Sequence, residues 1–221
     1  MVRMLPMSRR AARPSLPSTL EVAVVDLGMG NLRSVLNAVE ALGASGRAVG
    51  DWRSLRGADR IVLPGVGSFA EAMRRIRTAG WDRALADAVH AGRPLLGICL
   101  GMQLLAEWGT EGSDTPVAGL GFVPGTVRRL PAGGGARVPH VGWSDVEPVA
   151  HARLVTGTTA FYFVHSYALG ADEGAVVATC DHGTRFAAVV EHGCVAGVQF
   201  HPEKSHRSGL ALLAAFGAGD D

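Results

Sequence analysis

"PLLGICLGMQLL" (94–105) joins an aliphatic run to a helix-like run, with Cys99 at the junction between Gly97 and Gly101. "PLLGI" is short, apolar and led by proline, as a buried strand is, and "LGMQLLAEW" (100–108) reads as the helix that follows it. A strand that feeds a helix is the unit of a parallel sheet, whose crossovers need helices. Cys99 itself has two readings. It is a buried core thiol, or it is a nucleophile presented at a sharp strand-to-helix turn in a G-x-C-x-G pattern. The two glycines have no role in a plain core segment, whereas a crowded turn needs them.

The same alternation extends toward the N-terminus. "EVAVVDLG" (21–28) and "RIVLPGVG" (60–67) are apolar runs ending in glycine, hence buried strands. Asn31 can cap "LRSVLNAVEAL" (32–42), where Leu32, Val35, Leu36, Val39 and Leu42 recur at helical spacing. "SFAEAMRRIRTAG" (68–80) and "WDRALADAVHAG" (81–92) are amphipathic helices, each stopped by glycine. This order predicts an α/β fold with a parallel sheet covered on both faces. The second half changes character. "GFVPGTVRRL" (121–130), "FYFVHSYAL" (161–169), "AVVATCDHG" (175–183), "RFAAVVEHG" (185–193) and "VAGVQF" (195–200) are strand-like, and read as an antiparallel extension of the same sheet. "SGLALLAAFGAG" (208–219) closes the chain as a helix, and 109–118 and 131–136 read as surface loops.

Composition bounds the function. With 221 residues, 48% of them hydrophobic, the chain suits one domain with a full core. A net charge of +1 argues against a nucleic-acid binder, which carries a basic stripe. No apolar stretch reaches the roughly 18 residues of a membrane span, so no membrane partner is expected. Cys99, Cys180 and Cys194 cannot complete a disulfide framework, and a reducing cytoplasmic setting is the simpler reading. No His/Cys cluster has ligand spacing, so neither a metal nor a cofactor is expected. Residues 1–20, with several arginines, three prolines and no acid, read as a disordered extension of the domain at 21–219. Lys204 is the only lysine.

Chemistry concentrates at three places. A helix starting at Leu100 would point its positive end at the Cys99 sulfur and favour thiolate. The Leu100 amide would be suitably placed to donate to an oxyanion. Among eight histidines, His201 stands apart: it ends an apolar strand, Pro202 stops that strand, and Glu203 follows two residues on. Residues i and i+2 share a side at a strand end, so Glu203 can orient the His201 ring. The glycine-rich "LPGVGSF" (63–69) can turn a second backbone N–H, that of Val66, toward the same oxyanion, or it is a plain connection.

Together these residues resemble the class I, triad-type glutamine amidotransferases, over nearly all of 21–217. GICLGMQ around Cys99 is similar to the nucleophile motif of that family, and GVQFHPE (197–203) to its histidine–glutamate motif. The resemblance implies a three-layer α-β-α sandwich of flavodoxin-like build. It implies Cys99, His201 and Glu203 as catalytic residues, and Gly65, Gln103, His165, Ser166 and Tyr167 as the border of a glutamine pocket. Within the family, "VVDLGMGNLRSV" (24–35), "LPGVGSFAEAM" (63–73), "RVPHVGWSDV" (137–146) and "FYFVHSYAL" resemble the glutaminase subunits that serve imidazole glycerol phosphate synthesis. Leu27, Val141 and Ser144 depart from that pattern, where an aromatic, a methionine and an asparagine are expected. The implied partner is a separate cyclase, a (β/α)8 barrel forming a heterodimer, which uses the ammonia to make imidazole glycerol phosphate and aminoimidazole carboxamide ribotide in histidine biosynthesis. A glutaminase for another synthase, a cysteine hydrolase of similar fold and an inactive scaffold are the competing readings.

Overall fold

The computed structural model of the chain describes residues 14–132 and 136–219. Five strands run parallel in the order β2 (Ser45–Val49), β1 (Glu21–Val25), β3 (Arg60–Gly65), β4 (Leu95–Cys99) and β13 (Val195–Val198). Four antiparallel strands continue the sheet: β12 (Arg185–His192), β11 (Val176–Asp181), β8 (His140–Pro148) and β9 (Thr159–His165).

Both faces of β1, β3, β4 and β13 are dry, which is why these strands read as continuous apolar runs. Alternate residues of β1 go to opposite layers. Val22 and Val24 pack with Val35 and Val39 of α1 (Leu32–Ala41) and with Leu212 and Leu213 of α5 (His206–Ala218). Ala23 and Val25 pack with Phe69, Met73 and Ile76 of α2 (Phe69–Thr78) and Leu85 of α3 (Trp81–His90). The result is the three-layer sandwich. Asn31 caps α1 as expected, its side chain accepting from the Ser34 amide.

Three readings change, and one strand went unread. The helix expected over 100–108 is only α4 (Leu100–Leu104), and Ala106–Gly109 is strand β5. The carbonyls of Leu104, Leu105 and Ala106 accept from Leu120, Phe122 and Gly121, so no further helical turn forms. Next, "GFVPGTVRRL" does not join the main sheet: β7 (Val123–Arg129) belongs to a second sheet in the order β10 (Tyr167–Ala168), β7, β5, β6 (Val117–Ala118). "VAGVQF" supplies β13, which is parallel to β4 and antiparallel to β12, the strand where the sheet changes sense. Finally, β2 carries too few apolar side chains to be read from sequence.

Residues 1–13 of the expected extension lie outside the described residues. Its last part packs on the fold: the Leu16 amide donates to Leu42 O, and Leu16 and Leu20 lie against the core. Contact with the domain therefore begins before residue 21. The loop expected at 131–136 falls partly outside the described residues, and the one at 109–118 is flanked by β5 and β6. Among the described residues no helix is long and apolar enough to cross a membrane.

Candidate active site

Cys99 ends β4 and leads into α4 with φ 55°, in the left-handed region that side chains avoid. Such a conformation costs about 1–3 kcal/mol and persists only where the surroundings impose it. Here glycine makes it possible. A Cβ on Gly101 would lie 1.7 Å from Leu63 O, and one on Gly97 would lie 2.6 Å from Met102 N. The expected crowded turn is thus present, with Cys99 at the N-cap of α4.

His201 reaches this place from the neighbouring strand. Val198 of β13 is in register with Ile98 of β4, so both chain ends emerge at the carboxyl edge of the parallel sheet, where open α/β sheets carry their sites. The His201 amide donates to Tyr162 O and its carbonyl accepts from Ser205 Oγ, which fixes the backbone. Glu203 does approach the His201 ring, with Oε1 2.7 Å from Nδ1. The reason differs from the strand alternation expected: β13 stops at Val198, and Pro202–Lys204 form a 3₁₀ turn that brings the carboxylate back.

Electrostatics follow from this geometry. Burial alone would lower the His201 pKa, but the Cys99 sulfur and then Glu203 outweigh it and raise it to about 9. The sulfur and the carboxylate thus both favour the protonated ring, the state a base reaches on taking a thiol's proton. Among the described residues, His201 Nε2 and Glu203 Oε2 are the buried side-chain polar atoms without a hydrogen-bond partner. Unsatisfied groups are rare in folded proteins, and here one is on the ring that meets the thiol and the other on the carboxylate behind that ring.

A cavity of about 220 Å³ opens here, lined by Val66, Cys99, Leu100, Gln103, His165, Ser166, Tyr167 and His201 among others. Eight of the ten site residues read from sequence therefore share one wall. Glu203 stands behind His201, and Gly65 lies at the back, in register with Cys99 on β3 and close to the Leu100 side chain.

Glu111 also lines the cavity, and sequence reasoning left it in a surface loop. Burial raises its pKa, partly offset by a bond from the Phe69 amide. Its side chain adds a carboxyl group to the residues around the thiol's pocket. No periodicity marks it. Only the closeness of 109–118 to the cysteine motif could have pointed there.

Comparison with known proteins bears on this arrangement. The family model described as Glutamine amidotransferase class-I matches residues 23–217. The imidazole glycerol phosphate synthase subunit HisH of Moorella thermoacetica is 46% identical over 200 residues, covering 89% of this chain and 93% of that protein. The same-named subunit of Xylella fastidiosa is 47% identical, with 89% and 96% covered. Among solved structures, a glutamine amidotransferase superposes with TM-score 0.69 at 24% identity, covering 88% of this chain and 98% of that one. PurLQS from Thermotoga maritima gives 0.70 at 20% identity, covering 89% and 97%. At those identities the structures speak for the fold alone.

Proposed function

This chain belongs to the class-I glutamine amidotransferases, and we propose that it is the glutaminase subunit of an imidazole glycerol phosphate synthase of histidine biosynthesis. The observation that carries the reading is His201, backed at 2.7 Å by the buried Glu203 carboxylate and lining one cavity with a strained Cys99. The relatives named above supply the pathway.

Cys99 Sγ gives its proton to His201 and attacks the side-chain amide carbon of glutamine. The amide oxygen becomes an oxyanion, which the Leu100 and Val66 amides receive. His201 returns its proton to the leaving nitrogen, ammonia departs, and a thioester remains. Water, deprotonated by His201, then hydrolyses the thioester to glutamate. Glu203 holds the His201 ring in the tautomer with Nδ1–H and stabilises the imidazolium. Gly65, Gln103, His165, Ser166 and Tyr167 border the glutamine, and Glu111 takes its ammonium group.

The ammonia passes to a cyclase partner, a (β/α)8 barrel in a heterodimer in the cytoplasm. Val66, Val141, Trp143 and Val164 are exposed apolar residues on the cavity wall and on the β8–β9 pair beside it, and such a cluster suits a docking face. Lys204, exposed and lining the same cavity, stands where it can meet an acidic group of that partner.

The test is co-purification with the candidate cyclase, followed by glutamine hydrolysis with and without that partner and its phosphoribulosyl substrate. Capture and turnover of glutamine support the reading. A chain that binds the cyclase but leaves glutamine intact, or cleaves peptides instead, overturns it.

A further inference from the structure

Gln199 is fully buried just past the end of β13, two residues before His201, and none of the roles above uses it. Its Nε2 lies 3.8 Å from Cys99 Sγ. Which end of a glutamine amide faces a sulfur depends on its other partners, and here they fix it. Tyr167 O can only accept, and it lies 2.8 Å from Gln103 Nε2, so Gln103 must present its amino end there. The same Gln103 nitrogen lies 3.0 Å from Gln199, which must therefore offer Oε1. The amino end of Gln199 is left for the sulfur.

A second branch secures the anchor. His165 Nδ1 also donates to Tyr167 O, at 2.9 Å, so His165 Nε2 is an acceptor. His140 Nδ1 must donate to it at 3.1 Å, and Ser144 Oγ then donates to His140 Nε2 at 2.9 Å. Every bond in this buried chain has one permitted direction while both rings are neutral.

The geometry points to Gln199 as a positioning residue for the nucleophile, whose amide N–H holds the Cys99 thiolate and is itself held by Gln103, Tyr167 O, His165 and His140. In the thiol form the S–H donates to Val164 O, 3.9 Å away. When that proton passes to His201 Nε2, the bond to Val164 O is lost. The Gln199 N–H then gains an anionic acceptor, and charge-assisted bonds are shorter and stronger than neutral ones. Gln199 therefore favours the reactive form and the Val164 carbonyl the resting form. This deepens the proposed glutaminase reading and rests on it for the reaction, though not for the thiol chemistry.

The test follows alkylation of Cys99 by iodoacetamide across pH in the full chain, with Cys180 and Cys194 changed to serine. Gln199→Met keeps length and volume but has no donor. Alkylation at neutral pH should fall about tenfold, the scale of one hydrogen bond to a charged group, and the profile should move to higher pH. Gln199→Glu, which still accepts from Gln103 but turns a carboxylate oxygen to the sulfur, should fall further. A folded variant that melts earlier but keeps the parental alkylation profile would make Gln199 structural only and overturn the inference. Should neither variant fold, the parent decides: the Gln199 side-chain amide resonance should shift as Cys99 ionises, and a resonance that does not move overturns the inference. Neither readout needs glutamine turnover, so a failure of the glutaminase reading is seen separately, as an alkylatable Cys99 that leaves glutamine unhydrolysed.

Discussion

Glu203 Oε1 stands 2.7 Å from His201 Nδ1, with both side chains almost wholly removed from solvent. A carboxylate at that distance requires a proton on Nδ1 and leaves Nε2 available for the proposed proton exchange with Cys99 and the leaving group. Replacing Glu203 by glutamine keeps the shape and removes the charge that stabilises the imidazolium. Glutamine turnover should fall more than tenfold, with the larger loss in kcat. Turnover within twofold of the parent would make Glu203 a bystander.

The histidines set opposing pH limbs. His201 is raised from 6.5 to about 9 in the folded chain. Its contribution is full below pH 6.5 and is lost as pH rises through 9, because the folded state binds the extra proton in that window. His140 and His165 go the other way: burial, above all, lowers them to about 4 and about 3. Their contribution is present above pH 6.5 and is lost as pH falls from there toward 4, since only the unfolded chain takes up those protons. The melting temperature should therefore peak near neutral pH. A melting temperature that kept rising between pH 7 and 9 would contradict the His201 assignment.

Thiol reactivity should separate the three cysteines. Burial and then Asp181 push Cys180 up to about 12, and Cys194 Sγ bonds to Val89 O away from the cavity. A glutamine-mimicking electrophile should label Cys99 and spare the other two. Peptide mapping that placed most of the label on Cys180 or Cys194 would refute the nucleophile assignment.

Gly101 tests the turn itself. A methyl group there would sit 1.7 Å from Leu63 O, a backbone atom with no freedom to yield. Gly101→Ala should cost on the order of 1–3 kcal/mol, as overpacking does, and should depress activity by moving Cys99. Denaturant melts with an unchanged midpoint would show that the β4–α4 junction is looser than described.

The sequence made the parallel layers legible because strands buried on both faces leave unbroken apolar runs, as in β1, β3 and β4. The two ends of the proposed catalytic constellation were legible for a local reason: G-x-C-x-G and His-Pro-Glu each place their groups within a few residues. What escaped depends on distant partners. The end of α4 at Leu104 is imposed by amides of 120–122 that capture the carbonyls of Leu104 and of the two residues after it. Glu111 and Gln199 gain their meaning from elements that meet Cys99 only in the folded chain. His140 is a lone polar residue until β8 pairs with β9 and sets it against His165.

The most direct measurement concerns where the ammonia comes from. A complex of this chain, carrying Cys99→Ala, with its cyclase partner is assayed for product from glutamine and, separately, from ammonium salt at high pH, where free ammonia is abundant. Without the thiol no thioester forms, so glutamine-dependent synthesis should vanish while ammonia-dependent synthesis persists at the parental level. Loss of both activities in a complex shown to be assembled, or glutamine-dependent synthesis that survives the substitution, would contradict ammonia supply through Cys99.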